Sequence, residues 1–105
     1  MTTVKFIREK SFIVGFEITG HSTQNVKDTE GKIVCAAISS AALMAANICT
    51  EIIGAIGESY AEDGIMKVKL NSKVNETQVI FEGLKLHLTE LAQEYPERVK
   101  VILEV

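Results

Sequence analysis

Residues 33–50 run for eighteen positions without a formal charge, rich in alanine and broken by polar side chains only at Ser39, Ser40, Asn47 and Thr50. Such a run does not stay in water. It predicts a helix covered by its own domain, by a second subunit or by a bilayer. The length only just reaches the roughly twenty residues needed to cross a bilayer. The density of Leu and Ile is too low for strong insertion, and the preceding chain reads as strands with a polar loop, so no membrane is expected. The helix is expected from about Lys32 to about Tyr60, with Gly54 and Gly57 loosening its last turns. Ala36, Ala37, Ser40, Ala41 and Ala45 would let another backbone approach it closely.

The flanking segments set the fold class. In Thr3–Arg8, Val4 and Phe6 alternate with Lys5 and Arg8. In Phe12–Gly20, Phe12, Val14, Phe16 and Ile18 recur with period two and are expected on one face. Glu9-Lys10-Ser11 is short enough to make these two an antiparallel hairpin. Glu62-Asp63-Gly64 reads as a turn, and Ile65–Leu70 alternates again as a strand. After the polar segment Asn71–Glu76, a second helix is expected near Thr77–Tyr95. Its apolar stripe is Ile80, Leu84, His87, Leu88 and Leu91, and Pro96 stops it. Val99–Val105 closes the chain as a strand with Val99, Val101, Leu103 and Val105 on one face. The order ββαβαβ predicts an α+β fold, a four-stranded sheet with two helices packed on one face, over a single domain spanning residues 1–105.

The 105 residues carry a formal charge of −3. That balance argues against direct binding of nucleic acid and leaves a basic protein partner open. Cys35 and Cys49 fall on one helix, about four turns apart at ~1.5 Å per residue, too far to bridge. Free thiols and the lack of a signal-peptide pattern point to the cytoplasm. No glycine-rich phosphate loop and no metal-ligand spacing is present, so neither cofactor nor metal is expected. His87, on an apolar helix face, reads as a packing or interface residue. Glu51, Glu58, Glu62 and Asp63 read as a solvated helix end and turn.

One pair of residues carries chemistry. Gly20-His21 ends the second apolar run. Ser22–Lys32 is a polar loop, and Ile33-Val34-Cys35-Ala36-Ala37 opens the long helix. A thiol in the first turn of a helix faces free N–H groups and the positive end of the macrodipole, which favour the thiolate. An imidazole at the rim of the same loop could take the thiol proton. This is the minimum equipment of a cysteine peptidase. A cysteine also packs well as a small buried side chain, and the residues alone leave both readings open.

The pattern Gly20-His21 … Gly31-x-Ile33-Val34-Cys35-Ala36-Ala37-x-Ser39 resembles the ribosomal-processing cysteine protease family Prp, also called YsxB-like, and the likeness extends over essentially the whole chain. The resemblance implies a bacterial endopeptidase that removes a short N-terminal extension from large-subunit ribosomal protein twenty-seven during ribosome assembly. It also implies a homodimer. It places His21 on the family's catalytic histidine and Cys35 on its nucleophile. Gly20 falls on the glycine before that histidine, and Ser39 on a serine one helical turn past the cysteine, on the face of the thiol. The backbone N–H groups of Cys35 and Ala36 would form the oxyanion hole, and the loop would close over an extended substrate. Two departures stand out. Lys32 occupies the position where the family carries Asp; a lysine there could stabilise the thiolate as a nearby cation. The loop is also longer, and Asp28 or Glu30 could supply the missing carboxylate. The alternative is a non-catalytic ribosome-assembly or protein-binding module with the same fold.

Overall fold

The structure, a computed structural model, describes residues 1–103. Strands β1 (Thr2–Glu9) and β2 (Phe12–Thr19) form the expected antiparallel hairpin, closed by Lys10-Ser11 with Lys10 at φ 58°. The register slips once: Ile7 pairs with Gly15 but Arg8 with Ile13. This bulge changes which side chains face inward. Ile13 joins Phe16 and Ile18 in the core, Val14 is buried outside that cluster, and Phe12 is half-buried. The strict alternation expected through Phe12 and Val14 therefore fails at the bulge.

Helix α1 spans Thr29–Asn47 and widens into a single π-helical turn over Ile48–Ile52. It starts three residues before the expected Lys32, because the Asp28 carboxylate accepts the Gly31 N–H at 3.1 Å and caps it. It also ends well before Tyr60. Gly54, at φ +81°, takes the left-handed conformation that stops a helix. Residues Gly57–Glu62, expected as the helix end and the start of the turn, instead form a strand, β3, which pairs antiparallel with β4 (Ile65–Leu70) across a two-residue Asp63-Gly64 turn. Every residue of β3 is exposed, so it has no apolar alternation to betray it.

Helix α2 (Gln78–Glu94) leads through Pro96 to β5 (Val99–Leu103), which lies parallel to β1. Val99 is buried, Val101 and Leu103 pack against the core, and Val105 lies outside the described residues. The sheet runs β3-β4-β2-β1-β5. It has five strands rather than four, and the order is ββαββαβ rather than ββαβαβ.

Both helices cover one face of the sheet. Val34, Ile38, Ala42 and Ala45 of α1, Cys49 of the π-helical turn and Phe81, Leu84 and Leu88 of α2 meet Val4, Phe6, Phe16, Val68, Leu70 and Val99 in one cluster. Phe81 is the deep anchor of α2, its ring 6.3 Å from that of Phe16 in an edge-on pair. His87, expected in the apolar stripe, is exposed. The opposite sheet face is charged, with Lys69 2.9 Å from Glu9 and Lys67 3.9 Å from Glu17. Helix α1 buries only its inner side. Ile33, Leu43, Met44 and Ile52 remain exposed, and an apolar groove of about 590 Å³ runs between the helices past Ala41, Met44, Val79, Gly83 and His87.

Candidate active site

The end of β2 turns on Gly20. Its φ of +84° lies in the left-handed region, and a Cβ there would collide with the carbonyl of Met1. Its N–H donates to the Gly64 carbonyl at 2.9 Å, tying the end of β2 to the β3–β4 turn. The chain then reverses and carries His21 and Ser22 across to α1. His21 is half exposed. Its Nε2 lies 3.6 Å from the Asp63 carboxylate and against Gly64, where a Cβ would sit 3.2 Å away.

Cys35 lies six residues past Thr29, in the second turn of α1. The expectation of a first-turn thiol is corrected by the early start of the helix. Amides this far in are bonded to carbonyls four residues back, so the N–H groups of Cys35 and Ala36 are not free to form an oxyanion hole. The donor comes from the loop instead: the Ser22 N–H points at the Cys35 sulfur, 3.2 Å away. Such a contact strengthens when sulfur becomes negative. Cys35 is half-buried, whereas Cys49 is buried and its thiol is pushed up by that burial.

A cleft of about 120 Å³ is lined by Gly20, His21, Cys35 and Ser39, together with Glu62 and Gly64. Four of the five residues singled out in the sequence thus share one cavity. Lys32 is exposed and is not among the cleft residues. Asp28 and Glu30 do not replace the missing carboxylate at the histidine. Both are held by Arg98, which grips Asp28 at 2.7 and 3.1 Å through two nitrogens and Glu30 at 3.0 Å through a third. The Arg98 guanidinium, with the N–H groups of Gln24 and Gly31, holds the Asp28 carboxyl at about 2. In return, the hydrogen bond to Asp28, reinforced by Glu30, raises the pKa of Arg98. The carboxylate beside His21 is Asp63.

Ser22 is buried and held at three points. Its hydroxyl donates to the Arg98 carbonyl at 2.9 Å and shares a 2.7 Å hydrogen bond with Thr2 Oγ1, and its own carbonyl accepts from Arg98 Nη1 at 2.6 Å. Ser22, Asp63 and Arg98 were not read as site residues from the sequence. Adjacency to His21 was the only signal for Ser22. The other two come into place through the β3–β4 turn and the turn before β5, where Arg98 lies 76 residues downstream of Ser22, which no local pattern shows. Among the described residues, no group of three His, Cys, Asp or Glu side chains is placed to hold a metal ion.

Comparison with known proteins bears on this geometry. A family model described as cysteine protease Prp matches residues 1–100. No curated protein matches the chain significantly. Among solved structures, SMU.848 from Streptococcus mutans is similar at 28% identity and a TM-score of 0.83, covering 99% of this chain and 96% of that one. An essential ribosomal processing protease Prp from S. aureus is similar in fold. Its complex with a covalently linked product peptide aligns at 18% identity and a TM-score of 0.85, over 99% of this chain and 100% of that one. Its complex with a substrate peptide aligns at 17% identity with the same TM-score and coverage. With a match over nearly its whole length and a histidine and a cysteine facing one cleft, this chain belongs to the Prp cysteine protease family.

Proposed function

We propose that this protein is an endopeptidase in which Cys35 is the nucleophile and His21 the general base. We further propose that it removes the N-terminal extension of large-subunit ribosomal protein twenty-seven during ribosome assembly. The observation that carries the reading is the Cys35 thiol, approached by an amide donor in the cleft it shares with His21.

In this reaction, His21 takes the proton from Cys35 Sγ as the sulfur attacks the scissile carbonyl carbon. The carbonyl π pair moves onto oxygen, and the Ser22 N–H, already directed at the reacting sulfur, is a backbone donor on hand for that charge. When the tetrahedral intermediate collapses, the C–N bond breaks and His21 returns its proton to the leaving amine. A thioester to Cys35 remains. Water, deprotonated by His21, then attacks the thioester and frees the new carboxylate and the thiol. Gly20 supplies the reversal that places His21. Ser39, one turn past Cys35, offers a hydroxyl to the substrate from the cleft wall. Lys32 takes no part in these steps.

The net charge of −3 suits a basic ribosomal protein as substrate, and the similar S. aureus protease binds substrate and product peptides. The exposed apolar side of α1 favours a homodimer. We place the enzyme in the cytoplasm, acting without cofactor or metal and without direct contact to nucleic acid or membrane.

The test is intact-mass spectrometry of the extended ribosomal protein after incubation with this protein or with its Cys35→Ala variant. The expected result is loss of the N-terminal extension with the first and an unchanged mass with the second. An unchanged mass in both would favour the non-catalytic binding module.

A further inference from the structure

We propose that Arg98 is a positioning residue for the cysteine chemistry, holding Ser22 so that its N–H stays aimed at the Cys35 sulfur. The proposal rests on Cys35 as the nucleophile.

Arg98 does not line the catalytic cleft. It borders a separate hollow together with Ser22, Gln24 and Glu30, so any effect on the thiol must pass through the loop. Four hydrogen bonds engage its fork of donors. Nη1 serves both the Ser22 carbonyl and Asp28, Nη2 serves Asp28, and Nε serves Glu30. One guanidinium therefore ties the first residue of the loop to the residue that caps α1 and to the first turn of the helix bearing Cys35. The Arg98 backbone adds to the clamp: its carbonyl accepts from the Ser22 hydroxyl at 2.9 Å and from the Thr2 N–H at 2.8 Å. With side-chain exposures of 20% for Arg98 and 12% for Asp28, the pair is largely shielded from water. Gly31 leaves the space for it. A Cβ there would lie 2.5 Å from Asp28 Oδ2 and 2.8 Å from Arg98 Nη1.

Residues 24–27 are exposed; apart from the guanidinium, Ser22 is tethered by its hydroxyl to Thr2 and the Arg98 carbonyl, which leaves its peptide plane to be set by the Arg98 Nη1 bond to its own carbonyl. Without the clamp, Ser22 gains freedom and its N–H is no longer fixed on sulfur. A lysine cannot stand in fully, because a single ammonium lacks the planar fork that reaches Ser22, Asp28 and Glu30 together.

The experiment follows Cys35 alkylation by iodoacetamide at neutral pH, well below the melting temperature, with the labelled site identified by peptide mapping. The Ser22 amide is followed by NMR in the same samples. Arg98→Gln is expected to slow Cys35 labelling by ~3- to 10-fold, to shift the Ser22 amide resonance and to speed its hydrogen exchange. Arg98→Lys is expected to recover part of the rate. Asp28→Asn keeps a capping side chain but weakens the grip on Arg98, and is expected to act in the same direction with a smaller effect. It serves as the decisive variant if Arg98→Gln does not fold. A lower melting temperature with unchanged Cys35 labelling and an unchanged Ser22 amide would overturn the proposal and leave Arg98 a purely structural role. Labelling needs no substrate, so failure to cleave the ribosomal protein would count against the proposed function without touching this comparison.

Discussion

Cys35 in α1 and Cys49 in the π-helical turn that follows it differ in what surrounds them. Cys35 opens onto a cleft and receives an amide donor; Cys49 is buried among apolar side chains, with its thiol pushed up. Iodoacetamide at neutral pH should therefore label Cys35 at least tenfold faster, given that the thiolate is the reactive form. Equal labelling would contradict the site. Asp28 makes a separate expectation about acid stability. Its carboxyl is held at about 2 against an ordinary 3.8. A depressed carboxylate contributes stability that is complete above its unfolded value and is lost as pH falls through its folded value. The difference in melting temperature between the natural protein and Asp28→Asn should hold steady above about pH 4 and shrink towards pH 2. Curves that stay parallel down to pH 2 would show that the ion pair adds nothing. At this scale the sequence singled out His21 and Cys35, which line one cleft, because a Gly-His pair and an Ile-Val-Cys-Ala run are local. It could not disclose that Asp28 and Glu30 answer to Arg98 rather than to His21, since that choice is made by residues 70 and 68 positions apart.

Among the elements, those with one buried side were legible. β1, β4 and α2 appear close to the expected spans because water reaches only one face of each, which imposes period two or 3.6 on their side chains. β3 has no buried side and left no such trace; only Asp63-Gly64 marked its hairpin. The start of α1 was misplaced because Asp28 caps it from within the apparent loop, ahead of the apolar run. That three-residue shift moved Cys35 from the first turn to the second and transferred the donor role to Ser22. The β3–β4 hairpin nevertheless reaches the site, since Gly64 sits against the imidazole of His21 with φ +79°. Gly64→Ala should cost about 1 kcal/mol of stability from the left-handed backbone. It should reduce peptidase activity by more than that loss explains, because the added methyl sits 3.2 Å from His21 Nε2. Thermal melts and cleavage rates on one preparation check this. Activity falling only in step with the folded fraction would mean that His21 is not held by the hairpin.

For the whole molecule, the uncharged run that shapes the sequence is only half explained by its own domain. Val34, Ile38, Ala42 and Ala45 face the sheet, while Met44 stays exposed in the groove between the helices and Leu43 stays exposed on the side towards β3. A second copy seated there would bury the remainder, and light scattering at micromolar concentration should return a dimer mass. Met44→Glu, which places a charge on that surface, should return a monomer with little change in its far-ultraviolet circular dichroism. A monomer mass for the natural protein would leave the outer side of α1 without an occupant. The architecture as a class was legible because alternating segments around a buried helix admit few arrangements. The fifth strand was not, since it adds an edge without adding to the core. The central claim is that Cys35 is acylated during cleavage. The most direct measurement mixes the protein with a peptide spanning the extension junction, quenches in acid and maps the mass of the Cys35 fragment. The expected result is an adduct equal to the N-terminal product on Cys35, absent in Cys35→Ala together with cleavage. Cleavage that persists in Cys35→Ala, or proceeds with Cys35 unmodified, would contradict it.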